Sequence, residues 1–442
     1  MKANVFVFLR EYNDVDHITP VIDHLCLRQN VNVKVFCINE NDNFFLNANL
    51  LYLKDKYNLE IIDFLSVCRD SKYFSVIDTI IERISRRGGR ISSNILVKVL
   101  TINASRLLYN FKLPIFNKIL LSNINPDVCI FDVGTEYIYP QRIIHKLFRN
   151  KKIPRICIHH GLITHLNPDF NIKQKILLSK PDNVRELIIK FIQNIYSYLI
   201  SLPPILSDGY IVPGKHYELM RTIESGKAPR DVVYEVASLR YTHQWNYIYE
   251  KNIYSKSQIN KKSDKKLKVV LMMISERYNV NREAIIKTIE SVSILPWVDL
   301  VIKPFTRGDK VEDYIQKLSE KMAIDLAPER SSLELINNTD VTLAYGTSIE
   351  FQALLSNKAL VHMTYIDSNY TIFEKYKVSW AVESIEQLTS TLLSLYNDKT
   401  RTPYTDNDVD LLFDDIIYGG YERSDIFNTY RNIIEKISNV NL

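Results

Sequence analysis

Leu300-Val301-Ile302-Lys303-Pro304-Phe305-Thr306-Arg307-Gly308 and, after a helix-like interval, Asp340-Val341-Thr342-Leu343-Ala344-Tyr345-Gly346-Thr347-Ser348 decide how this chain is read. Each is an apolar run that ends in small, hydroxylic or cationic residues. The second passes directly into the helical pattern Ile349-Glu350-Phe351-Gln352-Ala353-Leu354-Leu355, and the stretch closes with Lys358-Ala359-Leu360-Val361-His362-Met363. In an open α/β sheet, the carboxyl ends of strands meet the amino ends of helices, and an anion can be held there.

Working outward, the same alternation fills the chain. Val5–Leu9, Val33–Ile38 and Leu59–Leu65 are short β-branched or aromatic runs at helix-length spacing, followed by a long helical region over 74–122. Further buried strands are expected at 127–132, 153–158, 210–212 and 232–236, then at 268–273, 299–302, 341 onward and 360 onward. The pattern predicts an α/β protein of two doubly wound, Rossmann-like domains facing each other across a cleft. The polar stretch Lys251–Lys266 is the expected linker. Its neighbours are an N-terminal acceptor and catalytic domain (1–250) and a C-terminal nucleotide-sugar domain (267–400). A helical segment over 401–442 is expected to pack back toward the first domain.

Length and composition narrow the function. The 442 residues exceed one ordinary domain, and 56 basic against 51 acidic side chains leave a charge of only +5. That balance argues against a dedicated nucleic-acid binder and would suit work near anionic lipid. Cys26, Cys37, Cys68, Cys129 and Cys157 are scattered without a CxxC pair, as in buried thiols of a reducing cytoplasm. No GxGxxG or Walker-type loop occurs, which argues against a dinucleotide enzyme or a P-loop ATPase. The N-terminal apolar run is short and reads as a strand rather than a signal peptide. Leu187–Leu206 is the most apolar helix, interrupted by Lys190 and ended by Pro203-Pro204; it is a core helix or lies on a membrane surface.

Several strand ends carry chemistry. Lys303, Thr306 and Arg307 offer two cations and a hydroxyl to a phosphate, against the plainer reading of a solvated loop. Gly346-Thr347-Ser348 is a helix cap or an anion site, the two being compatible because both use the unpaired helix-start amides. Of His159-His160-Gly161, only one imidazole faces a cleft from an extended segment; His160 is the choice for a base or phosphate contact. Asp132 and Glu136, four apart just past a strand, can converge on one sugar carbon as nucleophile and acid or base. Ser238 and Arg240 close the first half, and Arg282 follows the first strand of the second half. No HExxH spacing exists and no metal or other cofactor is expected.

This ordered set resembles bacterial surface-polysaccharide glycosyltransferases of the GT-B fold over roughly residues 125–385. It comprises His160-Gly161, Asp208 to Gly214, Ser238 to Tyr241, Lys303 to Gly308 and Gly346-Thr347-Ser348. Lys303-Pro304-Phe305-Thr306 resembles the Lys-Pro-His-Pro element of capsule and teichoic-acid transferases, with Phe and Thr replacing His and the second Pro. Phe351-Gln352-Ala353-Leu354 resembles a Phe-Glu-Ala-Leu element, Gln352 replacing the acid. Within the group the chain is most similar to retaining β-Kdo transferases. The resemblance implies a CMP-Kdo donor, double displacement through Asp132 with Glu136 as acid or base, and no obligatory metal. It further implies a lipid-linked oligosaccharide acceptor in O-antigen or capsule synthesis and a cytoplasmic protein, with peripheral contact at the inner membrane as an option. Ser238, Arg240, Arg282, Lys303, Thr306, Arg307, Gly346, Thr347, Ser348 and Gln352 are the expected donor-binding residues. A transferase using a UDP- or GDP-sugar or CDP-glycerol, a hydrolysing UDP-GlcNAc 2-epimerase and a non-catalytic polysaccharide-assembly protein are the alternatives.

Overall fold

The computed structural model describes residues 2–39, 42–80 except 73 and 78, 110–121, 125–159 except 139, 161–166 except 163, 206–213, 228–253, 266–274, 280–305, 311–367 except 329, and 369–442. Its chain divides into two units, one of residues 1–161, 180–240 and 418–442, the other of 162–179 and 241–417. Among the described residues, the first holds a parallel sheet of β1 (Ala3–Leu9), β2 (Val31–Cys37), β3 (Ile61–Asp63), β4 (Val128–Asp132), β5 (Arg155–Ile158), β6 (Gly209–Pro213) and β7 (Val233–Val236). They lie in the order β3-β2-β1-β4-β5-β6-β7. The second holds β8 (Leu267–Met272), β9 (Val298–Lys303), β10 (Asp325–Leu326), β11 (Val341–Ala344), β12 (Ala359–Met363) and β13 (Trp380–Val382), in the order β10-β9-β8-β11-β12-β13. All pairings are parallel.

Parallel strands covered on both faces are continuously apolar, and β4 and β12 are buried at every residue. In the first core Phe8 stacks on Phe131 (4.7 Å) and Phe36 (5.1 Å), and Phe131 packs on the His145 ring. Each such ring contributes about 1.5–3 kcal/mol by burial. One carboxylate clasp recurs in both sheets. Asp127 before β4 accepts from the Asn4 amide at 2.7 Å, and Asp340 before β11 accepts from the Lys268 amide at 2.9 Å. These clasps pin the register where each central strand begins.

The expected strand over Leu59–Leu65 is cut short. Asp63 accepts from the Ser66 amide at 2.9 Å and starts a helix at Phe64. The boundary between units lies at Arg240/Tyr241 rather than at 250. Tyr241 donates to Ser348 Oγ (3.2 Å) and its ring meets Phe351, while Asn246 accepts from Gln352 Nε2 (2.7 Å). The C-terminal segment divides at Tyr418. Residues 401–417 belong to the second unit, while 418–442 join the first through Tyr421 and Tyr430, whose hydroxyls donate to the carbonyls of Glu235 and Ala237. Most of the linker (254–265), most of the 74–122 region and Leu187–Leu206 up to 205 lie outside the described residues. Among the described residues no helix is long and apolar enough to cross a membrane.

Candidate functional site

In each sheet the strand order reverses beside its first strand, between β1 and β4 and between β8 and β11. Ligands of open α/β sheets bind outside the carboxyl ends of strands at such a switch point. Asp132 is the last residue of β4 and Arg10 follows β1, so both stand at the first switch point. Asp132 is 1% exposed. Burial pushes its carboxyl up to about 8, against the pull of His159 and Arg10 and with the help of Glu136 and Glu11. A group raised this far at a switch point exchanges its proton near neutrality.

Glu136, the expected acid or base, is held by hydrogen bonds on both carboxylate oxygens. One carboxylate oxygen accepts from the Gly134 amide (2.8 Å), the other from the Cys157 thiol (3.4 Å), and its carbonyl accepts from Arg142 (2.9 Å). With both oxygens engaged and the residue 2% exposed, Glu136 braces the turn beyond Asp132. Thr135 adds to the brace by donating to the Asp132 carbonyl at 2.7 Å. Glu136, His145 and Cys157 put their donor atoms within 4.8 Å of one another. Burial and Glu136 raise the Cys157 thiol well above its usual range, and burial, with Arg155 and Arg142, lowers the His145 imidazole.

Arg240 and Ser238 follow β7. Arg240 pairs with Asp16 (3.0 Å) and reaches His17 Nε2 (3.0 Å), which also accepts from the Gly161 amide (3.2 Å). Ser238 Oγ is buried. His160 lies outside the described residues; its neighbour His159 is the imidazole coupled to Asp132.

In the second unit, Gly346-Thr347-Ser348 follows β11 at the switch point. The amides of Gly346 and Thr347, expected to be open to a phosphate, are both donated to Glu350 Oε1 at 2.8 Å. Glu350 Oε2 meets His362 Nδ1 at 2.9 Å, and His362 Nε2 lies 3.5 Å from Glu374 Oε2, which accepts from the amide and hydroxyl of Thr371. Burial alone would lower the His362 pKa, but Glu350 and Glu374 outweigh it and raise it to about 10. His165 abuts the same turn and is lowered to about 4, chiefly by burial. Asp367, also buried, is raised to about 6.

Of the remaining donor-binding expectations among the described residues, only Lys303 also stands at a strand end, on β9 beside β8. Lys303 ends β9 and donates to the Pro328 carbonyl at 2.5 Å, and Arg282 opens the helix Arg282–Ser293 over the Tyr314 ring at 4.0 Å. Gln352 is buried on Asn246 and Ser356. Thr306 and Arg307 lie outside the described residues.

Both site turns need glycine at φ +96°, but for different reasons. A Cβ on Gly134 would meet nothing within 4 Å, whereas one on Gly346 would lie 2.5 Å from His165 Cε1. Gly134→Ala should therefore cost about 1–2 kcal/mol from left-handed backbone alone. Gly346→Ala should cost a further 1–3 kcal/mol, roughly the overpacking penalty. Urea midpoints of the two variants compare them; equal losses would show that His165 yields freely.

Sequence reading missed His17, Arg10, His159, Glu350, His362 and Glu374 as members of these clusters. His17 lies inside an amphipathic helix and Glu350 inside a string read as helical. Only the spacing of Glu350, four residues past Gly346, hints that a carboxylate folds back on the turn.

The sequence matches no family model and no curated protein sequence. Solved structures do resemble the chain. S. aureus MnaA with UDP aligns over 100% of this chain and 98% of its own, at 11% identity and a TM-score of 0.52. UDP-GlcNAc 2-epimerase from Neisseria meningitidis bound to UDP-GlcNAc covers 98% and 100%, at 12% identity and 0.50. The glycotransferase of kitacinnamycin covers 99% of each chain, at 12% and 0.50. The likeness shows the fold: two parallel-sheet Rossmann-like units of GT-B type.

Proposed function

We propose that the chain is a glycosyltransferase that moves a sugar from a nucleotide-activated donor, CMP-Kdo foremost, to a growing bacterial surface polysaccharide such as O-antigen or capsule. The observation that carries this reading is the buried Asp132 carboxyl at a switch point, with its pKa brought to about 8. In the proposed reaction the Asp132 carboxylate bonds to the anomeric carbon as the bond to the phosphate oxygen breaks and CMP leaves. The acceptor hydroxyl then displaces Asp132, giving net retention, and passes its proton to a base. We assign that role to His159, because both Glu136 oxygens are engaged. Mass spectrometry of the donor-treated enzyme tests the first step, and a sugar adduct on a residue other than Asp132 would refute it.

A second reading, a UDP-sugar transferase or a hydrolysing UDP-GlcNAc 2-epimerase, is favoured by the UDP and UDP-GlcNAc held in two of the similar structures. Calorimetric titration with CMP, UDP and GDP separates the two. CMP is expected to bind at least about tenfold tighter, a difference of about 1.4 kcal/mol. A preference for UDP would move the donor, and free sugar released without acceptor would identify a hydrolase.

A further inference from the structure

Two donors converge on one nitrogen of His17. The Gly161 amide and the Arg240 guanidinium both point at Nε2, at 3.2 and 3.0 Å, and neither group can accept a hydrogen bond. The lone pair must therefore sit on Nε2 and the ring must be neutral with its proton on Nδ1. Around this nitrogen the sequence has arranged a rigid support. His17 is 5% exposed in the helix Tyr12–Cys26, anchored at its start by Asp14, which accepts from the Arg10 and Glu11 amides at 2.9 and 3.0 Å. Pro20 in that helix cannot donate to the Asp16 carbonyl, so the turn bearing Asp16 and His17 departs from ordinary helix bonding. Asp16 holds the other arm of Arg240 at 3.0 Å and is itself fixed by Asn49 at 3.0 Å.

Gly161, at φ +78°, lies two residues past His159, which directly follows Ile158, the residue that pairs with Asp132 across the sheet. An amide in left-handed backbone past a strand end has no ladder partner of its own, and His17 supplies one. We propose that His17 is a positioning residue of the Asp132 site. Its unprotonated Nε2 ties Gly161 and Arg240 to one helix, and through Gly161 it holds the chain just past His159. The proposal rests on the sugar-transfer reading for its catalytic consequence, but the clamp itself does not.

The test compares His17→Gln, whose amide oxygen can stand near the place of Nε2, with His17→Asn, whose shorter side chain cannot reach it. Amide hydrogen exchange at Gly161 should rise about tenfold or more in the Asn variant and stay near native in the Gln variant. With the donor identified, kcat should fall about tenfold or more for Asn, with donor KM changed much less, and recover with Gln. Unchanged Gly161 exchange in a folded Asn variant overturns the clamp. Raised exchange with native kcat overturns the positioning role. If the native enzyme transfers no sugar, the functional reading fails while the exchange result still decides the clamp. Should neither variant fold, nitrogen NMR of histidine-labelled native protein decides it, and a proton on His17 Nε2 overturns it.

Discussion

Asp132→Asn is expected to lower turnover about a thousandfold and at the same time to make the protein harder to unfold. The loss follows from removing the group proposed to bond to or trade protons with the sugar, a contribution of roughly 10²–10⁴ in rate. The gain follows from linkage. The native carboxyl keeps its proton up to about pH 8, while its ordinary value is 3.8. Between these values the unfolded chain binds fewer protons than the native one, so stability falls as pH rises. By pH 7 the cost is on the order of 4 kcal/mol, and Asn, neutral at every pH, does not incur it. Urea unfolding at pH 4 and pH 7 should show variant and native protein nearly level at the lower pH and the variant ahead at the higher. Under the proposed double displacement, turnover should climb as pH approaches 8, because the proposed nucleophile is the carboxylate. A variant with near-native turnover, or one destabilised at pH 7, would remove Asp132 from the centre of the site.

The two sheets explain why the chemistry is assigned to the first. Both turn past the switch point by the same device: a glycine at φ +96° two residues beyond the strand, its amide held by a following glutamate. Asp132 ends β4, and Ala344 holds the equivalent place at the end of β11. The second unit thus repeats the scaffold without the carboxyl. Strand ends and glycines were legible in the sequence because parallel strands are continuous apolar runs and the turns need left-handed backbone. The place of Asp132 at a strand end was legible for the same reason. The part played by Glu136 was not, since its partners Cys157 and Arg142 come from elsewhere in the chain and spacing carries no sign of a buried brace. Gly346-Thr347 looked open to an anion because a helix start has unpaired amides, and only the fold reveals that Glu350 takes them. His362 sits within an apolar strand, where its charge cannot be inferred until Glu350 and Glu374 are seen on either side.

His362→Leu should therefore destabilise the second unit by about 3–5 kcal/mol at neutral pH, the usual consequence of breaking a buried ion pair from one side. The imidazolium lies between Glu350 and Glu374, both His362 and Glu350 being fully buried. Leucine fills the volume but leaves two carboxylates facing apolar surroundings, one of which holds the Gly346 and Thr347 amides. The pH dependence identifies the cause. The native imidazole is raised to about 10 from an ordinary value of 6.5, so its stabilising contribution is complete below about pH 6.5 and disappears as pH rises through 10. The gap between native and variant should accordingly be widest near pH 6 and shrink toward pH 10, read from urea midpoints across that range. Glu374 is held below its ordinary value: burial opposes the charge, but His362 and Thr371 outweigh it, so that contribution fades in acid instead. A gap that stays constant from pH 6 to 10 would mean that the loss comes from packing alone and that His362 carries no charge in the native protein.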